Sequence, residues 1–191
     1  MNADAIEQAE ERLVSATKAL AVLKANGDRR ERESAWIDLI TALGTVYSKL
    51  EQGAKQIDKS RMWFDIKKKE RKSDPLLAYI HHARNSAEHG IVRTGRYAIQ
   101  SVSFTGMKPG ATAGLRLTPE GMRPFSTDPD LELRFVENDV SLLTVHDRGV
   151  MFHPPTEHLG KTLAEFGASH IGTLAVEYVE TMLIEANTLK T

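Results

Sequence analysis

Apolar residues recur at alternating spacings of three and four near the start of the chain, and this periodicity restricts the fold more than any other feature. The first stripe consists of Ile6, Ala9, Leu13, Ala16, Leu20 and Leu23. The second consists of Trp36, Leu39, Leu43, Val46 and Leu50, with Ile40 and Tyr47 beside it. One apolar face at a period near 3.6 residues is typical of an amphipathic helix. The two stretches therefore predict an antiparallel helical hairpin.

Three further segments are predicted to be helical. One begins near Asp58 and runs into the basic string KKKERK. The next begins at SDPLL, where Asp74 suits the N-cap and Pro75 suits the first helical position. The last has a wide apolar face made of Ile171, Leu174, Ala175, Tyr178, Val179, Met182 and Leu183. A C-terminal helix this apolar is expected to pack against the N-terminal helices.

The segment between these helices, about 92–154, has short β-leaning runs separated by turn-forming residues. Within it, LELRFVENDVSLLTVHDRGVMF predicts a small antiparallel meander with two tight turns. The string HLGKTLAEFGA, which follows, predicts a short helix or a turn. The sequence thus predicts an α+β protein with a four-helix-bundle-like core. Its single domain comprises a helical part (1–91), a β insertion (92–154) and a C-terminal helical part (155–191).

Composition narrows the classes of function. The chain has 191 residues, of which 41% are hydrophobic and 27% charged, with a formal net charge of −1 and no cysteine. These values indicate a globular protein without a global field that attracts nucleic acid or anionic membranes. Disulfides, thiolate metal sites and cysteine nucleophiles are excluded. The acidic, amphipathic N-terminus and the lack of a long apolar run predict a cytoplasmic protein that does not enter the membrane.

The string LLAYIHHARNSAEHGIV contains more polar residues than a core helix requires. Its core-facing stripe is predicted to be Leu76, Ile80, Ala83 and Ala87, ending at Gly90. Asn85 and His89 are four positions apart and share a helix face. The stem of Arg84 can pack on the bundle while its guanidinium group reaches outward. We therefore expect Arg84 and His89 to converge on one accessible site.

The residues Arg84-Asn85-Ser86-Ala87-Glu88-His89 form an R-N-x-x-x-H string that resembles the motif of the HEPN superfamily, the higher eukaryote and prokaryote nucleotide-binding domains. The likeness extends over the helical parts of the chain. The wider arrangement SRMWFD…DPLLAYIHHARNSAEHGI also resembles one that recurs in bacterial proteins of uncharacterised activity. In this chain a long β-leaning segment separates the motif from the last helix, whereas members of the superfamily usually enter that helix sooner.

The resemblance implies a nucleotide- or RNA-binding protein, and in active members a metal-independent endoribonuclease that needs no cofactor. Arg84 and His89 would act on RNA, with Asn85 orienting one of them. The ribose 2′-OH would attack the adjacent phosphate and leave a cyclic phosphate and a 5′-OH. Histidine, with an unperturbed pKa of about 6.5, suits proton transfer at neutral pH, and arginine suits phosphate binding. The resemblance further implies a homodimer, because one motif offers few groups.

Further polar residues are candidates for substrate binding. They are His81, His82 and Glu88 beside the motif, together with Lys68 and Lys69 in the basic string. Residues 58–72 include seven Lys or Arg against three Asp or Glu, a local charge of +4 that could steer phosphate. The alternative for the basic string is a solvated helix face.

Three other interpretations stay open. The motif could be an ordinary helix end in which Arg84 pairs with Glu88. The protein could be a non-enzymatic interaction or structural module whose β part presents a binding edge. A metal-dependent hydrolase would require His146, His153 and His158, with Asp147 or Glu157, to form a metal site, although their spacing matches no tight ligand pattern.

Overall fold

The structure, a computed structural model, describes residues 1–25, 28–89, 93–97, 101–105, 108–118, 121–129, 131–136 and 139–190. The helices in these ranges are α1 (Ala3–Lys24), α2 (Arg29–Ala54), α3 (Asp58–Ser73), α4 (Pro75–His89) and α5 (Ala168–Asn187). The strands are β1 (Gly95–Tyr97), β2 (Ser101–Thr105), β3 (Ala113–Thr118), β4 (Gly121–Ser126), β5 (Glu132–Val136), β6 (Val140–Leu142), β7 (Val145–Asp147), β8 (Val150–Phe152), β9 (Glu157–His158) and β10 (Lys161–Thr162). The predicted α+β class with a helical core is confirmed.

The chain divides into two compact units. The helical unit combines Met1–Tyr97 with Asp139–Thr191, and the second unit is Ala98–Asn138. The helical unit therefore holds the helices α1 to α5 and also strands β1 and β6 to β10. This division differs from the predicted insertion at 92–154, because several of its short strands belong with the helices rather than apart from them.

Helix α2 is central to the helical unit and contacts α1, α3, α4 and α5. Trp36, Leu39 and Ile40 of α2 are fully buried, and both predicted apolar stripes are in the core with only Leu13 half-buried. The backbone N–H of Asn2 donates to the carbonyl of Gly53 at 3.1 Å, so the start of α1 meets the end of α2, as the antiparallel hairpin requires. No helix in the described part of the chain is long and apolar enough to cross a bilayer.

The junction between α3 and α4 is built around Asp74. Its Oδ1 accepts a hydrogen bond from the backbone N–H of Leu77 at 2.9 Å, which confirms the predicted N-cap. On α3, Phe64 is buried, whereas Met62 and Ile66 are 68% and 55% exposed. Helix α3 therefore packs through fewer apolar residues than its neighbours.

The strands form antiparallel pairs rather than one meander. In the helical unit β1 pairs with β6, β7 with β8, and β9 with β10. The turn after β7 places Arg148 and Gly149 at φ values of 50° and 80°. The turn after β9 places Leu159 and Gly160 at 47° and 75°. Two consecutive positive φ values are typical of tight two-residue hairpins, so the predicted turn at DRG is confirmed and HLGKTLAEFGA contains a hairpin turn.

The second unit contains two of these pairs, β2 with β5 and β3 with β4. Ser101 lies opposite Val136 in the first pair, and Ala113 lies opposite Ser126 in the second. The predicted pairing of β5 with β6 is wrong, because β5 pairs with β2 and β6 pairs with β1. Strands β5 and β6, which are consecutive in the chain, thus belong to different sheets.

Candidate functional site

The C-terminal half of α4 presents the predicted polar residues beside a buried apolar face. Leu76, Ile80 and Ala83 are buried, and Ala87 packs against the core, as the spacing predicts. The remaining turns carry five polar residues whose side chains are partly or largely exposed. These residues are His81, His82, Arg84, Asn85 and Glu88.

A residue from another part of the chain joins this group. Oδ2 of Asp147, at the end of β7, accepts hydrogen bonds from Nδ1 of His82 at 2.8 Å and from Nδ2 of Asn85 at 3.0 Å. The hydrogen bonds from Asn85 and then His82 lower the pKa of Asp147 below its ordinary value. Asp147 is therefore an ionised carboxylate, which can accept hydrogen bonds but cannot donate them. Nδ1 of His82 must then carry the proton of this hydrogen bond.

The ring of His82 is fixed from two sides. It stacks on the ring of Phe152 in β8, with centroids 3.6 Å apart and an angle of 10° between the planes. Its side chain nevertheless remains 26% exposed. A neutral imidazole that is protonated on Nδ1 has a lone pair on Nε2. This arrangement of carboxylate and imidazole fixes the tautomer and orientation of a proton acceptor.

His81 has a different environment although it is adjacent in sequence. It lines a small cavity of about 20 Å³ together with Tyr47 and Arg71. Burial, reinforced by the positive charge of Arg71, lowers the pKa of His81 to about 4. Its Nε2 lies 3.5 Å from Nδ2 of Asn85, at the limit of a hydrogen bond. His81 is therefore neutral near pH 7 and contributes no positive charge to substrate binding.

Arg84 makes the ion pair expected of an ordinary helix end. Its Nη2 lies 2.8 Å from Oε1 of Glu88, and the two side chains are 27% and 31% exposed. Its Nη1 donates to Oδ1 of Asn85 at 3.4 Å. The stem packs against Gly44 of α2, where an added Cβ would lie 3.2 Å from the Arg84 side chain. The guanidinium group thus joins the cluster and is partly accessible to solvent.

The predicted partner of Arg84 in the motif is not tested by this geometry. Helix α4 ends at His89, as predicted, but the side chain of His89 and the whole of Gly90 lie outside the described residues. The predicted convergence of Arg84 and His89 therefore stays a prediction. The described side chains offer another imidazole, His82, which sequence reasoning placed only among the substrate-binding candidates.

Of the basic residues of α3, Arg71 lies near His81, whereas Lys68 and Lys69 have no described contact with the polar residues of α4. Nζ of Lys68 pairs with Oε1 of Glu51 at 2.9 Å, and the two side chains are 36% and 45% exposed. Lys69 is exposed on α3. These contacts fit the solvated face of a helix, and a role in steering phosphate stays a prediction.

The three histidines proposed as metal ligands have separate environments. His146 is exposed, Nδ1 of His153 lies 3.0 Å from the Thr144 hydroxyl, and His158 is buried with its Nδ1 3.0 Å from Oδ1 of Asp74. Among the described residues no group of three or more His, Asp or Glu side chains is arranged to hold a metal ion. The arrangement therefore gives no support to the metal-dependent hydrolase.

The sequence indicated Asp147 only as a possible metal ligand alongside those histidines, and it did not indicate a role for Phe152. Asp147 immediately precedes the Arg148-Gly149 turn, where an aspartate is also a common turn residue. Nothing local in the sequence indicates that β7 lies against α4. Comparison with protein-family models, with curated proteins and with solved structures finds no match to this chain.

Proposed function

We propose that the α4 cluster, which we define as His81, His82, Arg84, Asn85, Glu88, Asp147 and Phe152, binds RNA or a nucleotide and cleaves RNA without a metal ion. The observation that carries the proposal is the shared carboxylate. One oxygen of Asp147 orients both His82 and Asn85. The likeness of the R-N-x-x-x-H string to the HEPN motif points to the same class of substrate.

Arg84 is the proposed phosphate-binding group. An i, i+4 ion pair that is partly exposed to solvent stabilises a helix by only about 0.5 kcal/mol, so a phosphate can displace Glu88 at little cost. A planar guanidinium group then binds two phosphate oxygens and stabilises charge that develops in the transition state. Arg148, exposed next to Asp147, adds a second positive charge on the neighbouring turn.

His82 is the proposed proton acceptor. Its Nε2 takes the proton of the ribose 2′-OH while the 2′ oxygen forms a bond to the adjacent phosphorus. The bond from phosphorus to the 5′ oxygen breaks, and the 5′ oxygen takes a proton. We assign the donor of that proton to His89 on the basis of the motif. The products are a 2′,3′-cyclic phosphate and a 5′-OH, and no metal ion is required.

A cleavage assay on a labelled single-stranded RNA in EDTA tests this proposal. We expect His82→Gln and His89→Ala each to reduce the rate by roughly 10²- to 10⁴-fold, the usual contribution of general acid–base catalysis. His146→Gln, an exposed histidine outside the cluster, serves as the matched control and retains full activity. Absence of cleavage by the wild-type protein, or cleavage that survives both substitutions or requires added metal, would refute the ribonuclease assignment.

A second candidate is a non-enzymatic interaction module, and the β7–β8 hairpin favours it. Asp147 and Phe152 of this hairpin contact His82. Val150 and Met151, near the turn, are 54% and 57% exposed. Exposed apolar side chains of this kind often contact a partner protein. This candidate predicts a stable complex that is lost on Val150→Ser together with Met151→Ser, with no turnover of RNA. Homodimerisation, which the motif implies, is tested separately by light scattering.

A further inference from the structure

The helical unit has a concave surface that involves α3, the β9–β10 hairpin and α5 rather than the α4 cluster. We define it as the α3–α5 groove, with a volume of about 710 Å³. This volume lies within the range of sites for small molecules, about 300–1,000 Å³. The residues that determine its chemistry are Lys67, Glu70, Leu163, Leu174, Tyr178 and Glu185.

A buried ammonium group lies at the base of the groove. The side chain of Lys67 is only 10% exposed, and its Nζ lies 3.2 Å from Oε2 of Glu70 and 2.9 Å from Oε2 of Glu185. The indole N–H of Trp63 donates to Glu185 at 2.7 Å, and the hydroxyl of Tyr178 donates to Glu70 at 2.5 Å. Two carboxylates therefore share one ammonium group.

The groove retains negative charge after this pairing. The side chains of Glu70 and Glu185 are 37% and 40% exposed, whereas the lysine between them is nearly enclosed. Burial raises the pKa of Glu185, but the hydrogen bonds from Trp63 and Lys67 outweigh it and the net pKa is lowered, so this group is ionised at neutral pH. With Glu177 the groove carries three carboxylates, against two ammonium groups from Lys67 and Lys161.

The walls of the groove are apolar. Leu163 and Tyr178 are buried apart from the faces that line it, and Leu174 is half-buried against the core. The ring of Tyr178 lies 5.7 Å from Nζ of Lys67, within the range of a cation–π contact. The groove thus already stabilises an ammonium group on an aliphatic chain between carboxylates and an aromatic face.

We propose that the α3–α5 groove binds a small organic cation, an ammonium or guanidinium group on an apolar body. The cationic group lies near the partly exposed carboxylates of Glu70, Glu177 and Glu185, and the apolar body contacts Leu163, Leu174 and Tyr178. Because the groove residues are not members of the α4 cluster, this inference does not depend on the proposed RNA chemistry.

Three probes that share a phenol ring and differ in charge test the inference. They are tyramine, which is cationic, 4-ethylphenol, which lacks the charged group, and 3-(4-hydroxyphenyl)propionate, which is anionic. Ligand-observed NMR titrations on the full-length protein are run at pH 8, where tyramine is cationic and the propionate is anionic. We expect tyramine to bind roughly tenfold more tightly than 4-ethylphenol, and the propionate to bind most weakly.

Variants identify the carboxylates responsible. Glu185→Gln and, separately, Glu177→Gln on the exposed rim should each reduce the preference for tyramine severalfold. Glu180→Gln, exposed on the same helix but not lining the groove, is the matched control and should leave the preference unchanged. The inference is overturned by no binding of tyramine, by equal affinity for the three probes, by a preference for the anion, or by a preference that survives both groove variants.

Discussion

One aspartate–histidine pair lies at the N-terminal end of α4 and another at its middle, and the two pairs differ in access rather than in chemistry. At its N-terminal end Asp74 lies 3.0 Å from His158, with side chains only 6% and 9% exposed. At the middle of the helix Asp147 lies 2.8 Å from His82, with side chains 13% and 26% exposed. The first pair is sealed within the fold and the second is open to solvent.

The partners of the two carboxylates explain this difference. Asp74 also accepts hydrogen bonds from the backbone N–H groups of Leu77 at 2.9 Å and Leu159 at 2.7 Å, so it caps α4 and holds the β9–β10 turn. Asp147 instead accepts from two side chains of the cluster, His82 and Asn85. Asp74, which binds backbone groups, therefore stabilises the fold. Asp147 orients partly exposed side chains, which supports the proposed site.

The largest effect is expected at the sealed pair. Asp74→Ala removes the N-cap and leaves buried donors without an acceptor, which should lower the free energy of unfolding by about 3 kcal/mol. Urea denaturation measures this change, with Asp65→Ala on the exposed face of α3 as the control. A loss below about 1 kcal/mol would show that the sealed pair is not a structural element.

A smaller effect is expected at the open pair. Asp147→Ala should lower the free energy of unfolding by about 1 kcal/mol, because both donors can turn to solvent. The folded-state pKa of Asp147 is lowered, so its stabilisation is present above the ordinary value of 3.8 and is lost as pH falls through the folded-state pKa. Urea denaturation from pH 6 to pH 2.5 should show the gap between wild type and variant closing towards the acid end. A gap that is constant or widens towards acid contradicts this assignment.

The half-buried His81 should give a pH dependence of the same sign. The pKa of His81 in the folded state is lowered to about 4 from 6.5. The unfolded chain therefore binds the proton first, and the folded state loses stability as pH falls from 6.5 towards 4. His81→Gln should flatten the pH dependence of the urea midpoint in this window, whereas His146→Gln should not. An unchanged slope in His81→Gln would mean that His81 is exposed to solvent.

The smallest change in stability is expected at the surface ion pair. Glu88→Gln should alter the free energy of unfolding by less than about 0.5 kcal/mol. It should nevertheless strengthen RNA binding, because the carboxylate of Glu88 no longer competes with RNA phosphate for Arg84. Arg84→Gln should weaken binding with equally little effect on stability. Fluorescence anisotropy with labelled RNA measures both variants, and weaker binding by Glu88→Gln would remove Arg84 from the proposed role.

Local sequence patterns predicted the helices and one end of α4. The periodic apolar stripes gave α1 and α2, and Asp74 before Pro75 indicated the cap that the structure contains. Each of these features depends on residues within one or two helical turns. The motif at Arg84 was likewise visible because its residues are adjacent.

Long-range pairing was not predictable in the same way. Strand β6 pairs with β1 across most of the β-leaning segment, and Asp147 reaches His82 from 65 positions away. The sequence does not show which of two adjacent histidines faces the core, because either orientation satisfies the same apolar stripe. His81 lies beside Arg71 whereas His82 contacts Asp147 and Phe152, and both placements follow from how α4 packs on α2 and β7.

The most direct measurement observes the two paired histidines in one experiment. Long-range ¹H–¹⁵N NMR spectra of the imidazole rings can follow His82 and His158 while a short single-stranded RNA is added, with His82→Gln to assign the signals. We expect the His82 ring signals to shift with RNA concentration and those of His158 to stay in place. Signals of His82 that do not respond, or equal shifts at both rings, would contradict the claim that the open pair is a site and the sealed pair is structural.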